Sequence, residues 1–304
     1  MSRVALGYLA ALLSLSFLAM GCGGEEQGVT RTSTQPTAAA KTNLDATAEA
    51  EGPSTNTEEG SSWSGAGGES GGGKGTADRI RGVEFEVHEG YERVIIEFGS
   101  GDQEAAGIPR WSLEKLAEGG YVRLRLPGVT STPTDGEDLA GLAADAYYVV
   151  RHPKEGLFVD VVALGAFEYR ATELPGAGQL AIDFRRAPGG LTCPVVQDDN
   201  TVVTQPCEAE EVAAGEPLAV EGYARDPEGS PTLVLLNEEG APVATETARV
   251  SGGDEAWRHF ESSVALPPSY EGFATLQVVG DQGPDDGVSA RTEVPVFVGV
   301  GRDD

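Results

Sequence analysis

Val83-Glu84-Phe85-Glu86-Val87-His88-Glu89-Gly90-Tyr91-Glu92-Arg93-Val94-Ile95-Ile96-Glu97-Phe98 is the stretch that decides the fold class of this chain. Val83, Phe85 and Val87 alternate with Glu84, Glu86 and His88. Glu89-Gly90 turns the chain, and Val94, Ile96 and Phe98 then alternate with Arg93 and Glu97. Successive side chains on a strand point to opposite faces, so a period of two with one apolar and one polar set predicts a half-buried β-hairpin. The pattern recurs downstream. Val122, Leu124 and Leu126 alternate with Tyr121, Arg123 and Arg125; residues 148–151 lead through Pro153-Lys154-Glu155-Gly156 into 157–164; and a third pair lies at 167–172 and 179–184. Only 112–118 and 137–144 read as helical, and both are short. Strands this closely spaced, without long crossover helices, predict a mainly antiparallel sandwich over 79–188.

A second series of strands follows at 217–224, 232–237, 242–250, 259–266, 272–279 and 291–300. Turn clusters such as Asp226-Pro227-Glu228-Gly229-Ser230 and Asn237-Glu238-Glu239-Gly240 separate them. This spacing predicts a sandwich of immunoglobulin type over 191–300. The expected fold class is therefore all-β, with two β-sandwich domains in series.

What precedes them reads as an address and a tether. Arg3 stands before an apolar run from Val4 to Met20 that ends in Gly21-Cys22, the layout of an export signal over 1–22. From 23 to 78 the composition turns to Gly, Ser, Thr, Ala and Glu without apolar periodicity, which predicts a disordered linker. A flexible chain of about 55 residues reaches on the order of 40 Å. Within it Trp63 is expected as an exposed aromatic. Gly68, Gly73 and Lys74 have the spacing of a phosphate loop, but Gly75 stands where a magnesium-binding hydroxyl belongs, and the flanking strand and helix are missing.

Three family resemblances sharpen these expectations. Leu18-Ala19-Met20-Gly21-Cys22 resembles a bacterial lipobox, which implies acylation of Cys22 and a protein fixed to the outer face of the cell membrane. Arg93-Val94-Ile95-Ile96-Glu97-Phe98, Phe167-Glu168-Tyr169 and Gln179-Leu180-Ala181-Ile182-Asp183-Phe184 resemble the AMIN-like family over 79–186. That resemblance implies an exported β-sandwich that localises its host to the envelope, in some members by binding peptidoglycan. Asp183 is expected to be structural. Pro217-Leu218-Ala219-Val220-Glu221-Gly222-Tyr223-Ala224 and Val294-Pro295-Val296-Phe297-Val298, with the strands around Phe260 and Phe273, resemble the immunoglobulin-like domain associated with bacterial spore germination over 191–299. Extracytoplasmic interaction is what that resemblance implies.

Charge and chemistry set the remaining bounds. The 304 residues carry 49 Asp+Glu against 21 Lys+Arg, a net charge of −28, which excludes nucleic acid as a natural partner. Residues 191–304 hold five Arg and no Lys against 22 acidic residues, so the second domain carries most of the repulsion. With Cys22 lipidated, Cys193 and Cys207 remain as an even pair in an oxidising compartment and read as a disulfide, two free thiols being the alternative. His88, His152 and His259 are isolated, without zinc-motif spacing, and are expected to face solvent from strands. Asp281, Asp285 and Asp286 lack the spacing of a calcium loop. Carboxylates are too abundant for any catalytic pair to stand out, and Ser112, Ser262 and Ser263 lack a nucleophile elbow. The expectation is a non-enzyme with no catalytic residue, metal or cofactor. Its candidate binding surface is Tyr91, Trp111 and Tyr121, and its partner is peptidoglycan or another envelope protein. A wall hydrolase and a structural part of a sporulation or germination assembly are the alternatives.

Overall fold

The computed structural model describes residues 62–64, 67–116, 119–174, 176, 178–190, 193–225, 230–250, 256–280 and 291–299. The expected signal segment with Cys22, the expected linker to residue 61 and the residues Asp281, Asp285 and Asp286 lie outside them. The described residues are all-β, with no helix among them. The first eleven strands are β1 (Gly68–Gly71), β2 (Arg79–His88), β3 (Tyr91–Ser100), β4 (Gln103–Glu104), β5 (Trp111–Lys115), β6 (Tyr121–Leu126), β7 (Gly136–Asp138), β8 (Ala144–His152), β9 (Gly156–Ala163), β10 (Phe167–Leu174) and β11 (Gln179–Arg186). The remaining nine are β12 (Val196–Gln197), β13 (Thr201–Gln205), β14 (Glu210–Ala213), β15 (Pro217–Ala224), β16 (Thr232–Asn237), β17 (Pro242–Thr247), β18 (Arg258–Ala265), β19 (Gly272–Val279) and β20 (Arg291–Gly299).

In the first sandwich one sheet runs β10-β11-β3-β2, with β4 beside β3, and faces a second that runs β1-β5-β6-β9-β8, with β7 beside β8. The apolar sets of the alternating strands meet between them: Val94, Ile96 and Phe98 from β3, Leu124 and Leu126 from β6, Val159 and Val161 from β9, Tyr169 from β10, and Ile182 and Phe184 from β11. Each large side chain buried here contributes roughly 1.5–3 kcal/mol. The second sandwich pairs β14-β20-β19-β16-β17 against β18-β15-β13-β12, with Leu218, Val220, Leu235, Phe260, Leu276 and Val296 between the layers. One β18–β8 pairing, Arg258 beside Arg151, joins the two domains into a continuous ten-stranded sheet.

Two sequence expectations are corrected here. The helices expected at 112–118 and 137–144 are absent from the described residues; Trp111–Lys115 is β5 and Gly136–Asp138 is β7. Trp111 and Leu113 are buried while Ser112 is exposed, a period of two that five residues are too few to separate from a helical pattern. The linker expected to reach residue 78 also stops sooner. Ser64 pairs with Tyr169 on the edge of β10, and β1 then pairs with β5 of the opposite sheet. Residues 62–64 and 67–72 thus form a strap across one open side of the first sandwich. The Tyr169 hydroxyl donates to the Gly67 carbonyl, Ala171 N–H to the Glu69 carboxylate at 3.2 Å, and Gly72 N–H to Glu173 Oε1 at 2.6 Å. Gly72 has a φ of 71°, and a Cβ there would meet the Pro109 carbonyl oxygen at 1.8 Å, so only glycine fits.

Candidate functional site

Strand β9 reads Gly-Leu-Phe-Val-Asp-Val-Val-Ala and is buried on both faces. Leu157, Val159 and Val161 point into the first core, while Phe158 and Val162 point the other way, onto Val202, Tyr223 and Trp257 of the second domain. Tyr121, Ala146, Tyr148 and Val150 complete this second apolar layer, which forms the joint between the sandwiches. Asp160 sits in its middle, fully buried. It lies opposite Arg123 in the β6–β9 register and accepts Arg123 Nε at 3.0 Å and Nη2 at 2.9 Å. Across the joint the Tyr223 hydroxyl donates to the same carboxylate, and Arg123 Nη1 reaches Glu221 Oε1 at 3.3 Å. The Arg123 guanidinium also lies 4.1 Å from the Phe158 ring centroid.

The electrostatics follow from that packing. Burial pushes the Asp160 carboxyl up, against the opposing pull of Arg123 and of the Tyr223 hydrogen bond. Burial first, and Asp160 second, hold Tyr223 well above the ordinary phenol range, so it remains a donor. The hydrogen bond from His259 is the largest influence lowering Glu221. Burial, then the neighbouring His259, lower His152.

Above this network lies a polar cleft of about 460 Å³ between the domains, lined by Tyr121, Arg125, His152, Glu155, Glu221 and His259, with both half-cystines at its edge. Clefts between domains are favoured places for ligands. Here, however, the charged groups engage one another: Arg123 with Asp160 and Glu221, His259 Nε2 with Glu221 at 3.0 Å, and Arg125 with Glu114 and with Glu155. The Arg123–Glu221 and Tyr223–Asp160 contacts cross the joint and fasten the two domains to each other. The expectation that His259 faces solvent is corrected, since its side chain is 9% exposed against Glu221. Cys193 and Cys207 form a disulfide, and the Cys193 carbonyl accepts Gly120 N–H at 2.9 Å, tying the inter-domain connection to the first sandwich.

The three aromatics expected as a binding surface separate. Trp111 is 5% exposed in the first core, its indole N–H donating to Glu173 at 2.9 Å, and Tyr121 is 3% exposed in the joint. Neither belongs to an open surface, because the outward face of β6 is covered by the second domain and β5 by the strap. Tyr91 does lie at the surface, half-buried on the outer face of the β10-β11-β3-β2 sheet. There His88 stacks on Tyr91 at 4.6 Å, and Trp63 stands 6.2 Å away, edge-on. Trp63 covers the guanidinium groups of Arg185 at 4.4 Å and Arg170 at 4.7 Å. Its expected free exposure in a linker is thereby corrected. Asp183, fully buried, lies opposite both Arg93 and Arg170 in register and bonds both, at 2.6 and 2.8 Å, which gives it a structural role.

A Trp63→Ala variant is expected to lose roughly 1–2 kcal/mol, since partly desolvated cation–π contacts carry about 0.5–2 kcal/mol. Urea unfolding measures it, and a loss indistinguishable from zero would mean that the strap is not held by these stacks.

The second sandwich, antiparallel apart from the parallel β14–β20 pair, has the two-layer form, strand spacing and inter-layer core of an immunoglobulin-like domain. Residues 200–287 match the immunoglobulin-like domain of bacterial spore germination. No curated protein and no solved structure matches the chain. The spore-germination match takes in β13 to β19, so Glu221, Tyr223 and His259 lie within it, whereas Arg123, His152 and Asp160 belong to the preceding sandwich.

Proposed function

We propose that this chain is a non-catalytic interaction module held outside the cell, anchored through an acylated Cys22 and presenting two docked sandwiches to wall material or to another exported protein. The observation that carries the reading is the spore-germination match at 200–287, a non-enzymatic domain type. Its sequence supports are the lipobox-like Leu18-Ala19-Met20-Gly21-Cys22, the polar stretch after it and the AMIN-like resemblance of the first sandwich. A saturated, apolar-lined joint suits a rigid adaptor. On the first domain the contact surface is the Trp63–Tyr91–His88 cluster, where flat rings offer a stacking face to a sugar ring. The net charge of −28 disfavours adsorption to anionic wall polymers by salt bridges.

Growth of an expressing bacterium with a clickable palmitate analogue tests the anchor. The expected result is label in the membrane fraction for the wild type, and loss of label with release to the soluble fraction for Cys22→Ala. Unlabelled, unprocessed protein in the cytosol would refute the reading. Retention of the soluble Cys22→Ala chain on purified sacculi, reduced at least fivefold by Tyr91→Ala, is the expected result for wall binding. The family matched at 200–287 also favours a second reading, a component of a germination assembly, for which transcription confined to sporulating cells is the expected result.

A further inference from the structure

The apolar face of β2 outruns the core that it serves. Ile80 is fully buried, Val83 and Phe85 are half-buried, and Val87 is 72% exposed, so the stripe emerges from the sandwich as the strand proceeds. Across from it the segment after β7 carries Leu139, which packs on the core, and Leu142, which is 68% exposed. Two adjoining hollows result. One, of about 240 Å³, is lined by Val83, Phe85, Leu139 and Tyr147 together with the carboxylates Glu137 and Asp138, and the other, of about 220 Å³, by Val87, Tyr91, Leu142 and Phe184.

This trough is built and held. Glu92, 5% exposed, accepts the backbone N–H groups of Leu142, Ala143 and Ala144 at 2.5, 2.9 and 2.9 Å, fixing the loop that carries the protruding leucine. Ala140 adopts a φ of 51°, a conformation that non-glycine residues rarely take. A Cβ on Gly141 would come within 3.0 Å of the Phe85 ring, so the loop rests on Phe85 and divides the trough in two. Beside the trough, β2 pairs with β3 alone. Beyond Ile80, whose N–H is taken by the Ser131 carbonyl, no described residue pairs with its other edge.

An open strand edge above one apolar hollow and one that combines apolar side chains with two carboxylates, set along a strand of period two, is the geometry of strand addition, in which main-chain bonds supply affinity and alternate side chains fill pockets. Charge selects the occupant. Glu84 and Glu86 are exposed on β2, and Glu137 and Asp138 share a hollow with Val83 and Phe85, whereas the cations nearby are already engaged: Arg79 with Asp102, Arg81 with Glu104, Arg185 with Glu168 and Arg186 with the Leu142 carbonyl. A second copy pairing antiparallel through β2 would set these acidic residues against their own kind, which is unfavourable. We infer that the β2 edge docks an extended segment of another exported protein in which aliphatic residues alternate with basic ones. This deepens the interaction-module reading and rests on it.

The probe is a capped seven-residue peptide of alternating lysine and valine, titrated at physiological salt onto the full chain carrying Cys22→Ala. Its control is the same peptide with proline at the central valine, which keeps the charge and destroys the strand. The expected result is binding at least tenfold tighter for the uninterrupted peptide, with slowed hydrogen exchange between Gly82 and His88. Val87→Asp is expected to weaken binding at least tenfold although it adds attraction for lysine, and Val87 is too exposed for the change to threaten folding. Equal binding of the two peptides, protection elsewhere than β2, or a β2-dependent dimer in sedimentation would overturn the inference. Failed peptide binding with sacculus retention intact would remove strand docking alone. Failed sacculus retention with peptide binding intact would remove the wall reading alone.

Discussion

Replacing Arg123 with Met is expected to destabilise the docked domains by roughly 3–5 kcal/mol, the usual cost of leaving one member of a buried ion pair uncompensated. Asp160 has no exposure to water, and Arg123 supplies both of its charged donors, leaving only the Tyr223 hydroxyl once the guanidinium is gone. The double variant Arg123→Met/Asp160→Leu is expected to recover most of the loss, because an apolar pair of similar volume extends the layer of Phe158, Val162 and Val202 already there. Urea unfolding followed by two probes reads both variants. A single variant as stable as the wild type, or a double variant no better than the single, would mean that water reaches Asp160 and that the joint is not sealed. Since Glu221 and Tyr223 supply the other half of the network, the single variant is also expected to loosen one domain from the other, seen as faster hydrogen exchange in β15 and β18.

The second large effect belongs to the disulfide. Cys193 and Cys207 are 14 residues apart in sequence, and a loop of that size restricts the unfolded chain by about 3 kcal/mol in the chain-entropy account. For a folded body of this size that corresponds to a midpoint lowered by roughly 6–12 °C. Cys193→Ser/Cys207→Ser is the test, with the wild type under reductant as its counterpart. The expected loss falls near the joint, because the Cys193 carbonyl receives Gly120 N–H and both half-cystines border the inter-domain cleft. A midpoint unchanged within about a degree would show that the connection is fixed by its other contacts.

Much of this architecture is legible in sequence wherever one face of a strand is wet. The alternation of 83–98 gives β2, the turn and β3, and the expected strands at 217–224, 232–237 and 272–279 coincide with β15, β16 and β19. Strands wet on neither face were harder. The run from Leu157 to Ala163 has lost its alternation because two cores flank it, and that loss, with a lone aspartate inside, is the sequence signal of the joint. The strap leaves no sequence signal, for the opposite reason. Its glycines and serines bury almost no side-chain surface, and backbone bonds and two stacked arginines hold it, neither of which leaves an apolar period. Composition likewise suggested that Trp111 and Tyr121 were available aromatics, because sequence gives the face on which a residue lies and not what later covers that face.

The strap fixes where mechanical load enters the molecule. Traction applied upstream of Trp63 reaches first the Ser64–Tyr169 bridge and the ring resting on Arg170 and Arg185, then the four paired residues of β1, and only afterwards the strands packed around Phe98 and Phe184. A chain pulled from that end therefore loads this outer seam before it loads either hydrophobic interior.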